Sequence, residues 1–158
     1  MSKPRFPAIG FLGWLALSAA TASIGVLVRP GAWYRTIVKP EWTPPDALFG
    51  PVWTVLYVCM AIAAWRVWKK GGFGAARGAL TLYLVQLALN AAWSFLFFGL
   101  HRPGWAAVEI VILLAAILGT IRAFARHDRI AAGLLVPYAL WVGFAAALTF
   151  AIWRLNAG

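Results

Sequence analysis

Five long apolar stretches, at residues 6–28, 47–68, 78–100, 103–123 and 130–153, take up most of this 158-residue chain. A helix needs about 20 residues to cross a hydrocarbon layer of about 30 Å, and each stretch is close to or above that length. The expectation is therefore an all-α, multi-pass integral membrane protein: a five-transmembrane-helix bundle forming a single domain over residues 1–158. Composition agrees. Apolar residues make up 63% and charged residues 11%, with a mean hydropathy of +0.82, against roughly 45–50% and 25% in soluble domains.

The net charge of +10 would suggest a nucleic-acid surface in a soluble chain. Here the basic residues stand in short connections at the ends of the apolar stretches, where they meet anionic lipid headgroups. No basic face with interleaved aromatics lies outside the spans, so nucleic acid is not an expected partner and membrane lipid is. Lys3, Arg5, Arg66, Lys69, Lys70, Arg77, Arg122, Arg126 and Arg129 fall on one side, against Arg29, Arg35, Lys39, Arg102 and Arg154 on the other. The positive-inside rule then places the N-terminus in the cytoplasm. The first apolar stretch is longer than the ~7–15-residue core of a signal peptide and reads as a retained helix. Its Gly13, Ala16, Ala19, Ala20 and Ser23 read as close helix packing. The lone Cys59 reads as a small buried hydrophobe.

One connection is long. Residues 29–46 hold WYRTIVKPEWTPP, with no helical periodicity, three large amphipathic rings (Trp33, Tyr34, Trp42) and four prolines. Rings gain by docking and prolines lower the entropy lost on ordering. The segment is expected to be an ordered lid loop between the first and second helices. Residues 66–77, with GGFG and four basic residues, read as a surface loop; Trp65 and Trp68 beside Arg66, Lys69 and Lys70 read as an interfacial anchor.

Conventional catalytic groupings are missing from the sequence: no paired carboxylates, nucleophile triad or nucleotide loop, and no metal-ligand cluster. No cofactor is required by what is there. Glu109 is the one acid inside a span, close enough to a helix N-terminus to be tolerated. More informative are three helical faces. Gln86, Asn90, Trp93, Ser94 and Phe97 recur at three- and four-residue steps in the third span. Trp53 and Tyr57 do so in the second, and Tyr138, Trp141, Ala145 and Leu148 or Thr149 in the fifth. Together they could enclose an aromatic cavity beneath the lid, suited to a large, planar, mostly apolar ligand. Trp105 is assigned to the outside of the bundle.

WY followed by KPEWTPP, then PVWTVLY, QLALNAAWSFLFF and PYALW, resembles the translocator protein family, also called TspO/MBR (tryptophan-rich sensory proteins and peripheral benzodiazepine receptors). The likeness runs from Trp33 to Asn156. It implies a bacterial-type cell membrane location and a membrane receptor or sensor for tetrapyrroles such as protoporphyrin IX, held under the first loop. In many members it also implies sterol-like or synthetic benzodiazepine-type ligands. The ligand-binding residues it implies are Tyr34, Pro44, Trp53, Tyr57, Asn90, Trp93, Ser94, Trp141 and Ala145. Trp53 and Trp141 match tryptophans implicated in light- and oxygen-dependent porphyrin breakdown, which makes a degrading enzyme the alternative reading; a porphyrin or sterol translocator is another. The Leu/Val–Tyr–Lys/Arg pattern proposed for cholesterol lacks its Tyr before Arg154. A homodimer is expected through small residues at Gly74, Gly78, Ala88 and Ala92.

Overall fold

The computed structural model describes residues 7–158. Phe6, Lys3 and Arg5 of the sequence reading lie outside the described residues. The helices are α1 (Pro7–Leu27), α2 (Ala32–Thr36), α3 (Asp46–Trp68), α4 (Gly72–Ser94), α5 (Pro103–Ala125), α6 (Arg129–Leu134) and α7 (Val136–Leu155), with one wide turn, Phe95–Gly99, continuing α4. Five spans are long and apolar enough to cross a membrane: α1, α3, α4 with its wide turn, α5, and α6 with α7. The chain is an all-α, multi-pass membrane protein.

Three boundaries differ from the sequence reading. The surface loop expected at 66–77 is only a short turn, because Gly71 (φ 153°) and Gly72 (φ 63°) reverse the chain where residues with a Cβ could not. Helix α4 therefore starts at Gly72, but a kink at Ala76 (φ −131°, ψ 31°) separates this first turn from the continuous run, which begins close to the expected residue 78. The fifth span is broken at Leu135, one residue before α7. Pro137 in the first turn of α7 has no N–H to give to the preceding turn, so α6 stops and α7 begins afresh. The connection expected to lack helix contains the five-residue α2.

The packing of α1 also differs. Gly13, Ala16, Ala19, Ala20 and Ser23 are exposed, while Trp14, Ser18 and Thr21 are buried. Trp14 meets Tyr83 edge-on at 5.6 Å, and Ser18 Oγ lies 3.3 Å from the Tyr83 hydroxyl. These contacts to α4 fix which face of α1 turns inward, and the small residues fall on another. Gly10 is the true close approach: a Cβ there would run into the Trp68 ring of α3.

Elsewhere the interior follows the logic of lipid, where apolar surface gains nothing by turning inward and close packing holds helices together. Ala61, Ala63, Ala64, Ala106, Ala107 and Ala131 are fully buried between helices. Ile9, Leu12, Val55, Val85, Val111, Ile112 and Leu140 are exposed on the outside, as is Trp105 (67%). Inside lie polar groups: Gln86, Asn90, Glu109, Thr120 and Thr149. Cys59 is only partly buried.

At the end of the bundle away from the long connection, Asp128 ties three segments together. Its Oδ2 is 3.0 Å from Arg66 Nη2 and 3.1 Å from Lys70 Nζ, and its Oδ1 accepts from the Ala131 amide at 2.9 Å, capping α6. Lys70 Nζ also donates to the His127 carbonyl at 2.8 Å. Burial alone raises the Asp128 carboxyl, but the Ala131 amide and the Lys70 and Arg66 cations outweigh it and hold the group well below the usual carboxylate range. A depressed folded-state value stabilises above the ordinary Asp value of about 4 and is lost as pH falls through the lowered one. Thermal unfolding in detergent is expected to show Asp128→Asn less stable by about 2 kcal/mol at neutral pH, the worth of a cap plus charge-assisted bonds. Between about pH 5 and the depressed value the gap should shrink; a gap independent of pH would show the charge to be idle.

Candidate functional site

The site begins with a hydrogen-bond chain in the middle of the bundle. Asn90, buried on α4, accepts from the Tyr57 hydroxyl of α3 at 2.6 Å and donates through Nδ2 to the Tyr138 hydroxyl of α7 at 2.9 Å. Tyr138 in turn donates to Gln86 Oε1 at 2.8 Å. In lipid no water competes for such groups, so they must be satisfied inside the protein. The chain fixes three helices and orients the Tyr57 ring. Trp53, one turn earlier, lies 5.5 Å from Tyr57 and edge-on to Tyr138 at 6.2 Å.

In front of this wall, on the side of α1, opens a cavity of about 550 Å³. From α3 it is lined by Phe49, Gly50, Trp53, Thr54, Tyr57 and Val58, and from α4 and its wide turn by Trp93, Ser94 and Phe98. Trp141 and Ala145 come from α7, Leu15, Ser18, Ala19, Ala22, Gly25 and Val26 from α1, and Arg29, Pro30, Tyr34 and Asp46 close the mouth. Several lining residues on α1 and α3 (Ala19, Val26, Thr54, Val58) are themselves exposed, so the cavity also reaches the lipid-facing side between these helices.

Of the residues singled out from the sequence, Tyr34, Trp53, Tyr57, Trp93, Ser94, Trp141 and Ala145 share this lining. Asn90 does not touch the space; it stands behind Tyr57 as the hub of the chain just described. Pro44 is half-buried in the connection and off the lining. Glu109 also lies elsewhere. It is buried on α5, and both its carboxyl oxygens lack a hydrogen-bond partner among the described residues.

Other lining residues were not legible. Phe98 reaches the cavity because the wide turn inserts an extra residue: Leu100 N bonds Phe95 O at 2.8 Å, five residues back. Phe97, expected on the cavity face, points instead into a cluster with Trp33 and Tyr34. No sequence signal marks such a turn. The α1 wall had one, the steps Ser18, Ala22 and Gly25, but small residues at that spacing read equally as packing.

The connection lies against the outer ends of the helices. Trp33 stacks on His101 (4.5 Å, 14° between planes), Tyr34 is buried against Phe97 and Phe98, and Trp42 meets Phe144 at 5.8 Å. Asn156, just past α7, bonds both sides of Val38: Oδ1 accepts from its amide at 3.0 Å and Nδ2 donates to its carbonyl at 2.9 Å. Lys39 Nζ donates to the Tyr34 carbonyl at 2.6 Å and sits over the Tyr34 ring. Burial, then the nearby Asp46 carboxylate, raises the Tyr34 phenol, which therefore stays protonated as a donor at the mouth. Among the described residues no group of three His, Cys, Asp or Glu could hold a metal ion.

Five apolar spans agree with the motif likeness. The sequence profile of the TspO/MBR family matches residues 8–154. The chain belongs to that family. It is 43% identical to a "Tryptophan-rich protein TspO" of Chlorobaculum tepidum over 90% of this chain and 91% of the relative. It is 40% identical to the "Translocator protein" of Sus scrofa over 100% and 95%. A "Tryptophan-rich sensory protein" of Cereibacter sphaeroides is 39% identical over 92% and 90%. As a TspO/MBR protein with five apolar spans, the chain is an integral membrane protein.

Asn90 decides the shape of the cavity's back wall without touching its contents. Asn90→Ala strands the Tyr57 hydroxyl, leaves that of Tyr138 with Gln86 alone and is expected to cost about 1–3 kcal/mol in detergent unfolding, whereas Tyr57→Phe removes one end of the chain and should cost less. Equal melting temperatures for Asn90→Ala and the parent would show the chain to be dispensable.

Proposed function

We propose that this protein is a membrane receptor or sensor that binds a tetrapyrrole such as protoporphyrin IX in the cavity between α1, α3, α4 and α7. The observation that carries the reading is the cavity's own chemistry: flat walls of Trp53, Tyr57, Trp93, Phe98 and Trp141 around about 550 Å³, within the ~300–1,000 Å³ typical of ligand sites. A stacked macrocycle would take its affinity from burial and ring contacts. The sensory and translocator names of the relatives support a ligand-responsive membrane role.

A second reading, light- and oxygen-dependent porphyrin breakdown, is favoured by Trp53 and Trp141 both lining the same space. Indole beside a photoexcited macrocycle can exchange an electron with it. Titration of the purified protein with protoporphyrin IX, followed by tryptophan fluorescence, tests both readings. Trp53→Ala and Trp141→Ala should each weaken binding by about 2 kcal/mol or more, and Trp105→Ala should not. The double Trp→Phe variant should keep most of the binding and lose breakdown under illumination. Wild-type affinity in both Ala variants would displace the site, and unchanged breakdown in the double Phe variant would remove the enzymatic reading.

The connection acts in this reading as a lid. Asn156→Ala, or Pro44→Gly with Pro45→Gly, loosens its docking or its stiffness. Stopped-flow mixing should then show faster association and faster release with a modest loss of affinity. Unchanged rates would mean that ligand passes between α1 and α3 instead.

The homodimer belongs to the same proposal. Gly74, Gly78 and Ala88 present an exposed stripe on α4, and nothing lies within 4 Å of a Cβ added at either glycine. Cysteine at Ala75, which is exposed beside that stripe, should crosslink specifically in native membranes if two copies meet there. A monomer gives no such product.

A further inference from the structure

We propose a second site, outside the cavity: the groove that α1 forms with the end of α3 and the first turns of α4 holds one anionic phospholipid, its phosphate on Arg77. This site does not depend on what the cavity binds.

The groove encloses about 340 Å³ and opens on the outside of the bundle. Two glycines of α1 shape it. At Gly10 a Cβ would run into the Trp68 ring, so α1 and α3 touch there; at Gly13, about one turn on, a Cβ would find nothing within 4 Å. Trp14, buried, stacks on Phe73 of α4 (6.2 Å, 29° between planes) and closes the back. Leu17 and Leu84 continue the lining toward the middle of the bundle. A gap along an apolar wall forfeits dispersion contacts, and the material that meets this wall in a bilayer is acyl chain.

The charge beside the groove selects among lipids. Arg77 and Leu84 both lie past the kink at Ala76, seven residues apart. That is two helical turns and about 10 Å of rise, so they share one face of α4. Arg77 is exposed. Of the other cations nearby, Arg66 and Lys70 pair with Asp128, and Lys69 lies over the Trp65 ring; Arg77 has no ion pair with a described residue. Its depth suits a headgroup. The span that α4 makes with its wide turn has 28 residues, about 42 Å of helix against a hydrocarbon layer of about 30 Å. Centred on the layer, it overhangs by about 6 Å, or four residues, at each end, which puts Arg77 just inside the boundary, where a long side chain reaches out to phosphate. Trp68 and Phe73 then lie at headgroup depth, and Gly13, Leu17 and Leu84 lie beside the acyl chain. The guanidinium fork fits a phosphate. A choline headgroup adds a cation that this basic end repels, and a glycerol headgroup does not.

Native mass spectrometry of the full-length protein tests the site, with phosphatidylglycerol and phosphatidylcholine of identical acyl chains as probes. The parent should retain one phosphatidylglycerol about fivefold more strongly than phosphatidylcholine, the worth of one basic residue near a membrane surface. Arg77→Gln should bring the ratio below about twofold without changing phosphatidylcholine retention, and Arg77→Lys should keep most of it. Gly13→Leu fills the groove and should lower retention of both lipids severalfold with no fall in melting temperature, leucine being the better helix former. Gly119→Leu on α5, where an added Cβ also meets nothing within 4 Å, should change neither. Equal phosphatidylglycerol retention in the parent, Arg77→Gln and Gly13→Leu would leave only unspecific boundary lipid and overturn the proposal. Loss of a homodimer in Gly13→Leu with lipid retention unchanged would give the groove to a second copy and overturn it too.

Discussion

Everything that gives this bundle its inner surface depends on satisfying polar side chains where there is no water. Asn90 does most of this. With one carbonyl and one amide it meets a tyrosine from α3 and a tyrosine from α7, and Tyr138 passes the bond on to Gln86. Each such bond in a membrane is worth only about 0.6 kcal/mol on average, but leaving its partners unpaired costs more. The network therefore acts less as glue than as a constraint on rotation: α3, α4 and α7 can turn only so far about their axes before a hydroxyl is stranded. Aromatic rings on the neighbouring turns, Trp53, Trp93 and Trp141, are aimed by that constraint.

The cavity is what remains once those helices are fixed and α1 has been placed by other contacts. Trp14 and Ser18 attach α1 to Tyr83, and Gly10 lets it close onto Trp68. These contacts lie between Gly10 and Ser18. Further along, Ala19, Ala22 and Gly25 line the cavity, and a Cβ on Gly25 would find only Ser94 Oγ at 4.0 Å. Small residues that would promote close packing in one geometry leave empty space in another.

The two ends of the bundle use charge differently. At one, Asp128 pairs with two cations and holds α3, the α3–α4 turn and α6 together, so the charges there serve stability. At the other, Arg29 and Asp46 share a rim without pairing, beside an apolar cavity and under a connection whose aromatic and Asn156 contacts hold it in place.

How much of this could be read in the chain varies with the physics behind each feature. Span number and helical class follow from the length of apolar runs, because bilayer thickness is a fixed ruler. Family membership follows from rare residues in a specific order. Trp53, Tyr57, Trp93, Ser94, Trp141 and Ala145 could be grouped because helical periodicity puts them on shared faces. What only the tertiary structure decided involves contacts far apart in sequence or departures from regular geometry. Gly71 and Gly72 shorten a loop, Pro137 breaks the last span, and the turn at Phe95–Gly99 exchanges Phe97 for Phe98 at the cavity wall. Asn156 holds Val38 across 118 residues, and Asn90 falls behind the wall it was expected to form. Periodicity tells which residues share a face, but only packing against neighbouring helices tells what that face meets.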